Sequence, residues 1–187
     1  MGEIDEALER VERTRPIPVH LGARVRFLWE KVAKKDTRAL AQVVGVSVRS
    51  AQRWVKALAA GVVPTMTKEN ERKVEQAVRR HWQPGVRRRV RRAAEQRGFL
   101  LHIQAQFGYQ SAAGSTDDPR MRTITQHLPG EVAQRLFTAV DAGATQRSQE
   151  RILADALQEH YFRDNGRRAT GLLTDITGLQ WADFDIT

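Results

Sequence analysis

Leu40-Ala41-Gln42-Val43-Val44-Gly45-Val46-Ser47-Val48-Arg49-Ser50-Ala51-Gln52-Arg53-Trp54 reads as two short helices folded back on each other about a glycine. Thr37 can cap the first helix, which carries Leu40 and Val43 on its apolar side. Gly45 breaks it, and Ser47 can cap a second helix running from Val48 to about Leu58. The reason is steric. Small Ala41 lets the helices approach, Gly45 takes up the turn, and an apolar residue plugs the angle between them. Just upstream, Leu21, Val25, Leu28 and Val32 recur at the spacing of an amphipathic helix. Residues 20–62 are therefore expected to form a helix-turn-helix unit. In such a unit the last helix enters a DNA major groove with its early exposed residues near base edges. Here those residues are Arg49, Ser50, Gln52, Arg53 and Lys56. Arginine suits the guanine edge and glutamine the adenine edge.

Charge agrees with that reading. The 187 residues hold 31 Lys+Arg against 22 Asp+Glu, a formal +9. Residues 1–19 carry −2, residues 20–97 carry +14 and residues 98–187 carry −3. One stretch of the chain owns the positive charge, the distribution expected when one part binds a polyanion and the rest does something else. On this basis the chain divides into an N-terminal helix and linker (1–19), the helix-turn-helix unit (20–62), a basic helical segment (63–97) and an α+β unit (98–187). Pro16 and Pro18 close the first helix, whose apolar positions are Ile4, Leu8 and Val11.

In the basic segment, Thr67 can cap a helix with Val74, Ala77 and Val78 on its buried side, and Pro84-Gly85 interrupts it. Arg87, Arg88, Arg89, Arg91, Arg92 and Arg97 then surround a narrow stripe of Val86, Val90 and Ala93. So many guanidinium groups on one helix repel unless an anion lies along it. With Arg79 and Arg80, this segment reads as a phosphate-contact element that adds affinity without sequence choice. Trp82 beside it can stack on an unpaired base or close the helix as a core residue.

After Gly98 the period changes. Leu101, Ile103, Ala105 and Phe107 alternate with polar residues, a strand signature, and a second strand follows over Met121 to about Gln126. Between them, Gly108 to Pro119 reads as a loop of small and polar residues. Two amphipathic helices come next, one with Val132, Leu136, Phe137 and Val140, the other with Ile152, Leu153, Ala156, Leu157 and Tyr161. Leu172–Ile176 and Leu179–Ile186 read as two short strands. The fold class is α+β: a helical helix-turn-helix unit with basic helices, followed by a small mixed unit with a hairpin loop and two amphipathic helices.

Several chemistries are missing from the sequence. There is no cysteine, so no disulfide or thiolate site. The five histidines have no metal-ligand spacing, and neither a P-loop nor HExxH occurs. The acidic start does not suit a secretory signal and no apolar run approaches a membrane span, so a cytoplasmic location and no membrane partner are expected.

Several stretches together resemble the terminal proteins that cap linear actinomycete chromosomes and plasmids (the telomere-protecting, or Tpg, type). They are Met1-Gly2-Glu3-Ile4-Asp5-Glu6-Ala7, the turn Gly45-Val46-Ser47, Arg80-His81-Trp82-Gln83-Pro84, Phe107-Gly108-Tyr109 and Gly114-Ser115-Thr116-Asp117-Asp118. Further matches are Ala142-Gly143-Ala144-Thr145, Leu157-Gln158-Glu159 and Tyr161-Phe162 leading to Gly166-Arg167-Arg168. The likeness is collinear over nearly the whole chain. It implies a protein primer, not an enzyme: a loop hydroxyl accepts the first deoxynucleotide, dCMP, and stays on the DNA 5′ end. It assigns that hydroxyl to Thr116, although Ser115 stands where relatives carry another threonine. The implied partners are telomeric DNA (3′ overhang or duplex), a DNA polymerase and a telomere-associated protein, at chromosome ends in the nucleoid. No cofactor belongs to the chain itself; Mg²⁺ and dNTP arrive through the polymerase.

The residues make separate sense of a primer. A polymerase admits a thin primer end, so a protein substitute needs a slender, mobile loop with a hydroxyl at its tip; Gly108, Ala112, Ala113 and Gly114 supply the slenderness, and Ser115 and Thr116 the hydroxyls. Asp117 and Asp118 can mimic primer phosphates, orient the hydroxyl or simply cap a turn; Tyr109 is the rival acceptor. Two other readings stand beside this one. The first is a DNA-binding regulator, through the helix-turn-helix or through a ribbon-helix-helix homodimer over 121–160 with Arg122 and Thr123 or Thr125 facing bases. The second is a nuclease or nucleotidyltransferase using Asp117 and Asp118.

Overall fold

The computed structural model describes residues 2–110, 116–163, 165 and 173–186, with backbone only at 109, 110 and 116–119. Among the described residues it is α+β, with eight α-helices and one three-stranded antiparallel sheet. Residues 15–84 form one compact unit; residues 1–14 together with 85–187 form the other. Neither falls on the boundaries expected at 19/20, 62/63 and 97/98. The first helix packs with the C-terminal half, and so does the arginine-rich helix.

The contiguous unit is all helical. It contains α2 (Leu21–Phe27, continued by a π-helical turn over Leu28–Val32), α3 (Thr37–Val44), α4 (Val48–Ala59) and α5 (Lys68–His81). Val25, Leu28, Leu40, Trp54, Val74 and Val78 are its fully buried centre. Each such side chain contributes about 2 kcal/mol of burial, with Trp54 the largest. The start of α3 differs in detail from expectation: Asp36, not Thr37, is the cap, its Oδ1 accepting from Arg38 N at 2.7 Å and Ala39 N at 3.1 Å. Trp82 sits half-buried, edge-on to Phe27 at 4.8 Å, and donates Nε1–H to Arg15 O at 3.0 Å. That is the core reading of this tryptophan.

The discontinuous unit holds α1 (Glu3–Val11), α6 (Pro84–Arg97), β1 (Phe99–Gln110), β2 (Thr116–Leu128), α7 (Gly130–Asp141), α8 (Gln146–Leu157, continued by a π-helical turn over Gln158–Phe162) and β3 (Leu173–Asp185). The strand order is β2-β1-β3. Leu101, Ile103, Ala105 and Phe107 bury one face of β1, as their alternation dictates, in one cluster with Ile4, Leu8, Leu136, Leu153 and Leu157 of the helices. Gly98, with φ +80°, turns the chain from α6 into β1; a Cβ there would meet Leu128 O at 2.3 Å. The composition shift at Gly98 is thus a tight turn inside one core and not a domain boundary.

Three strand expectations change. The segment 108–119 is not all loop: β1 runs to Gln110 and β2 starts at Thr116, five residues before Met121. Gly108 opposes both Asp118 and Pro119, a bulge on an edge strand, where a proline has no ladder N–H to lose. The tail is one strand, not two. Two bulges, at Gln180 and Thr177, each flip the side-chain phase, so the inward positions run Ile176, Leu179, Ala182 and Phe184. Tyr161, expected on the buried stripe of α8, is 42% exposed because the π-helical turn rotates it off that face.

Candidate nucleic-acid interface

The connection from α3 to α4 is built as the sequence implied. Gly45 takes φ +75°, its N–H and that of Val46 both reaching Ala41 O. Ser47 Oγ accepts from Ser50 N at 3.2 Å and starts α4. Ala51 and Trp54 then anchor α4 to the core, both with no exposed surface. The opposite side carries Arg49, Gln52, Arg53 and Lys56, at the spacing of one helix face, all exposed. Among the described residues no hydrogen bond or ion pair engages these four side chains. Ser50 is different: its hydroxyl lies 3.0 Å from Ser47 Oγ and belongs to the cap. Beside the start of α4 a groove of about 690 Å³ is lined by Arg38, Gln42, Ser47, Ser50, Glu69 and Lys73, the last two paired at 2.8 Å.

The unit that bears this face is strongly cationic. Residues 15–84 hold 15 Lys+Arg and 5 Asp+Glu, formally +10, whereas residues 1–14 with 85–187 hold 16 and 17, formally −1. Within α5, Arg80 is exposed, but Arg79 donates to Glu75 Oε1 at 2.9 Å. That bond, with Arg24 at 3.6 Å, holds the Glu75 carboxyl below its usual pKa. Burial, with Arg80 nearby, pushes the His81 imidazole below its ordinary value.

Five of the six arginines of α6, all but Arg97 at its end, fall into two sets. Arg87 and Arg91 stand on the same side as Ala94, which has no exposed surface, and both close on the carboxylate of Glu12. Glu12 is 5% exposed. Arg91 also donates to Asp141 Oδ2 at 2.7 Å and lies over the Phe137 ring at 4.8 Å. The anion that the crowded guanidinium groups required is therefore, for these two, supplied by the protein itself. Both guanidinium groups thus face a carboxylate of the chain itself. Arg88, Arg89 and Arg92 are exposed and, among the described residues, unpaired.

The acceptor segment is described only in its backbone. Gln110 pairs with Thr116 and Tyr109 with Asp117, so Thr116 opens β2 at the end of the ladder. Gly114 and Ser115 lie outside the described residues, as do the side chains of Tyr109, Thr116, Asp117 and Asp118. Arg122, Thr123 and Thr125 are exposed on β2, which is hydrogen-bonded to β1 of the same chain. Among the described residues no group of three acidic or histidine side chains can hold a metal, and no helix is long and apolar enough to cross a membrane.

Sequence reasoning missed Glu12, whose partners lie far along the chain, and the exposed cations Lys31, Lys34 and Lys35 ahead of α3 and Arg38 in its first turn. The adjacent pair Lys34-Lys35 just before a helix-capping aspartate was the signal available for these. Comparison of the chain with protein-family models, with curated proteins and with solved structures gave no match.

Proposed function

We propose that this chain is a DNA-binding terminal protein. The +10 unit holds duplex DNA by setting α4 in the major groove, as a helix-turn-helix does, and the other unit offers Thr116 as the acceptor of the first deoxynucleotide at a chromosome end. The carrying observation is the row Arg49, Gln52, Arg53 and Lys56: exposed, unpaired, and set on the unit that owns the net positive charge. Arg88, Arg89 and Arg92 supply further phosphate contacts. The near-neutral unit suits contact with other proteins, here a polymerase and a telomere-associated protein.

The priming half of the reading rests on the resemblance carried by Gly114-Ser115-Thr116-Asp117-Asp118. In the fold, residue 116 pairs with Gln110 at the end of the β1–β2 ladder, where Gln110 also pairs with Leu173 of β3. The Thr116 oxygen attacks the α-phosphorus of dCTP. A threonine–phosphate ester forms, the bond from the α-phosphorus to the bridging oxygen breaks, pyrophosphate leaves with the electron pair, and the hydroxyl proton passes to solvent. Positioning and Mg²⁺ come from the polymerase.

Incubation with labelled dCTP, Mg²⁺, telomeric DNA and the cognate polymerase is expected to label the protein through an alkali-labile bond. Thr116→Val is expected to abolish the label. An alkali-stable label retained in that variant would move the acceptor to Tyr109. The second reading, a DNA-binding regulator, draws on the same α4 face; tight duplex binding with no adduct on protein isolated from cells would favour it.

A further inference from the structure

The turn between α2 and α3 carries two left-handed lysines in succession, Lys34 at φ +52° and Lys35 at φ +66°. The backbone there is locked. Lys35 N donates to Trp29 O at 2.8 Å and Asp36 N to Ala33 O at 2.9 Å, while Ala33 is buried. Glycine or asparagine meets such a conformation with less steric cost than lysine. The other described positive-φ positions respect that economy: Gly45, Gly61, Gly98 and Gly143 are glycines and Asn165 is an asparagine. Gln83, at φ +46°, accepts a hydrogen bond from Arg15 N through its side-chain amide. Lys34 and Lys35 have no such compensation. Both are exposed, and among the described residues nothing engages their ammonium groups. A backbone outlier kept against the preference of its residue points to a use for the side chain.

We infer that Lys34 and Lys35, with Lys31 and Arg38 beside them, contact the phosphates that flank the DNA stretch entered by α4. This rests on the reading of α4 as the DNA-facing helix and adds the part of the surface that sets its register. Four exposed cations fall within residues 31–38. Of the nearby acids, Asp36 is turned into the first turn of α3, where its carboxylate accepts two backbone N–H groups. Arg38 continues the cationic surface into the groove beside Ser47 and Ser50, at the start of α4. Lysine ammonium groups are compact point charges suited to phosphate oxygens and indifferent to base identity. Contacts of this kind position the reading helix without choosing the sequence.

The test uses the full chain with two unrelated 20-base-pair duplexes and two double variants. Lys34→Gln with Lys35→Gln removes charge and keeps the strained backbone. Lys34→Gly with Lys35→Gly removes both. Each double variant is expected to bind both duplexes equally more weakly and to reduce the slope of log K against log salt by about 1.8. The glycine pair is expected to melt no lower than the wild type, and higher than the glutamine pair. If the wild type binds duplex but the slopes do not change, the inference fails while the DNA-binding reading stands. A glycine pair that melts below the glutamine pair would overturn the argument from strain. If the wild type binds neither duplex, the proposed function itself falls, whatever the variants do.

Discussion

Glu12 is the carboxylate that fastens α6 to its own core. Two guanidinium groups close on it, and the second of them, Arg91, is also held by Asp141 and the Phe137 ring. Removing the negative charge leaves two half-buried cations facing a neutral amide. Glu12→Gln is therefore expected to destabilise the unit by about 3 kcal/mol, read from urea unfolding. The same logic separates the arginines of α6. Changing Arg88, Arg89 and Arg92 to Gln is expected to leave stability within about 0.5 kcal/mol while flattening the salt dependence of DNA binding by about 2.7. Arg91→Gln should do the reverse. Equal stability losses in both sets would refute the division. None of this was visible in the run Arg87 to Arg92 alone. The run shows a surplus of charge, but which members face a carboxylate 79 residues earlier depends on the packing of α1. On α4 the opposite held: Trp54 and Ala51 fix the buried side by sequence alone, so the exposed side follows.

At the scale of elements, the sheet has two edges, β2 and β3, and on β3 arginines from distant helices reach the strand's carbonyls. Arg147 donates to Ile176 O and to Asp175, and Arg10 donates to Ala182 O at 3.1 Å. These two arginines satisfy carbonyls that a further strand would need, the device by which edges avoid edge-to-edge pairing. Replacing both, Arg10→Ala with Arg147→Ala, is expected to give concentration-dependent self-association by sedimentation velocity, with far-UV circular dichroism close to that of the wild type. A variant as monodisperse as the parent would show that the edge is protected by other means. The strands were legible in unequal degree. β1 keeps one phase for its whole apolar run, so its alternation could be read directly. β3 changes phase at each bulge, and a single strand then imitates two short ones. The ends of the hairpin were hidden for another reason: glycine, serine and proline weaken any strand signal, yet the ladder continues to Gln110 and Thr116 because its partner strand holds it.

The whole molecule is one unit inserted into another. Residues 15–84 leave and rejoin at nearly one point: Arg15 N donates to Gln83 Oε1 at 3.2 Å and Trp82 Nε1–H to Arg15 O at 3.0 Å. Ends held together in this way let a contiguous unit interrupt another without breaking its core. Local patterns could not reveal it. α1 is separated from its packing partners by the full insertion, and its charged surface reads as a tethered helix, although Ile4, Ala7 and Leu8 are almost completely buried. The arrangement makes the first residues essential to the distant half of the chain. Deleting residues 2–14 is expected to unfold the unit that carries Thr116 while the helical unit keeps its own transition. Tryptophan placement makes the two readable apart, because Trp29, Trp54 and Trp82 lie in residues 15–84 and Trp181 in the other unit. With Trp181→Phe in the background, fluorescence follows the helical unit alone, and the deletion should leave that melting curve within about 3 °C of the undeleted protein. In the same sample the β-sheet signal in circular dichroism should be lost, duplex binding retained but weakened by the loss of the ordered Arg88, Arg89 and Arg92 contacts, and labelling by dCTP abolished. Loss of the fluorescence transition along with the sheet would mean that the chain folds as a single cooperative body, and that DNA binding and priming cannot be assigned to separate parts of it.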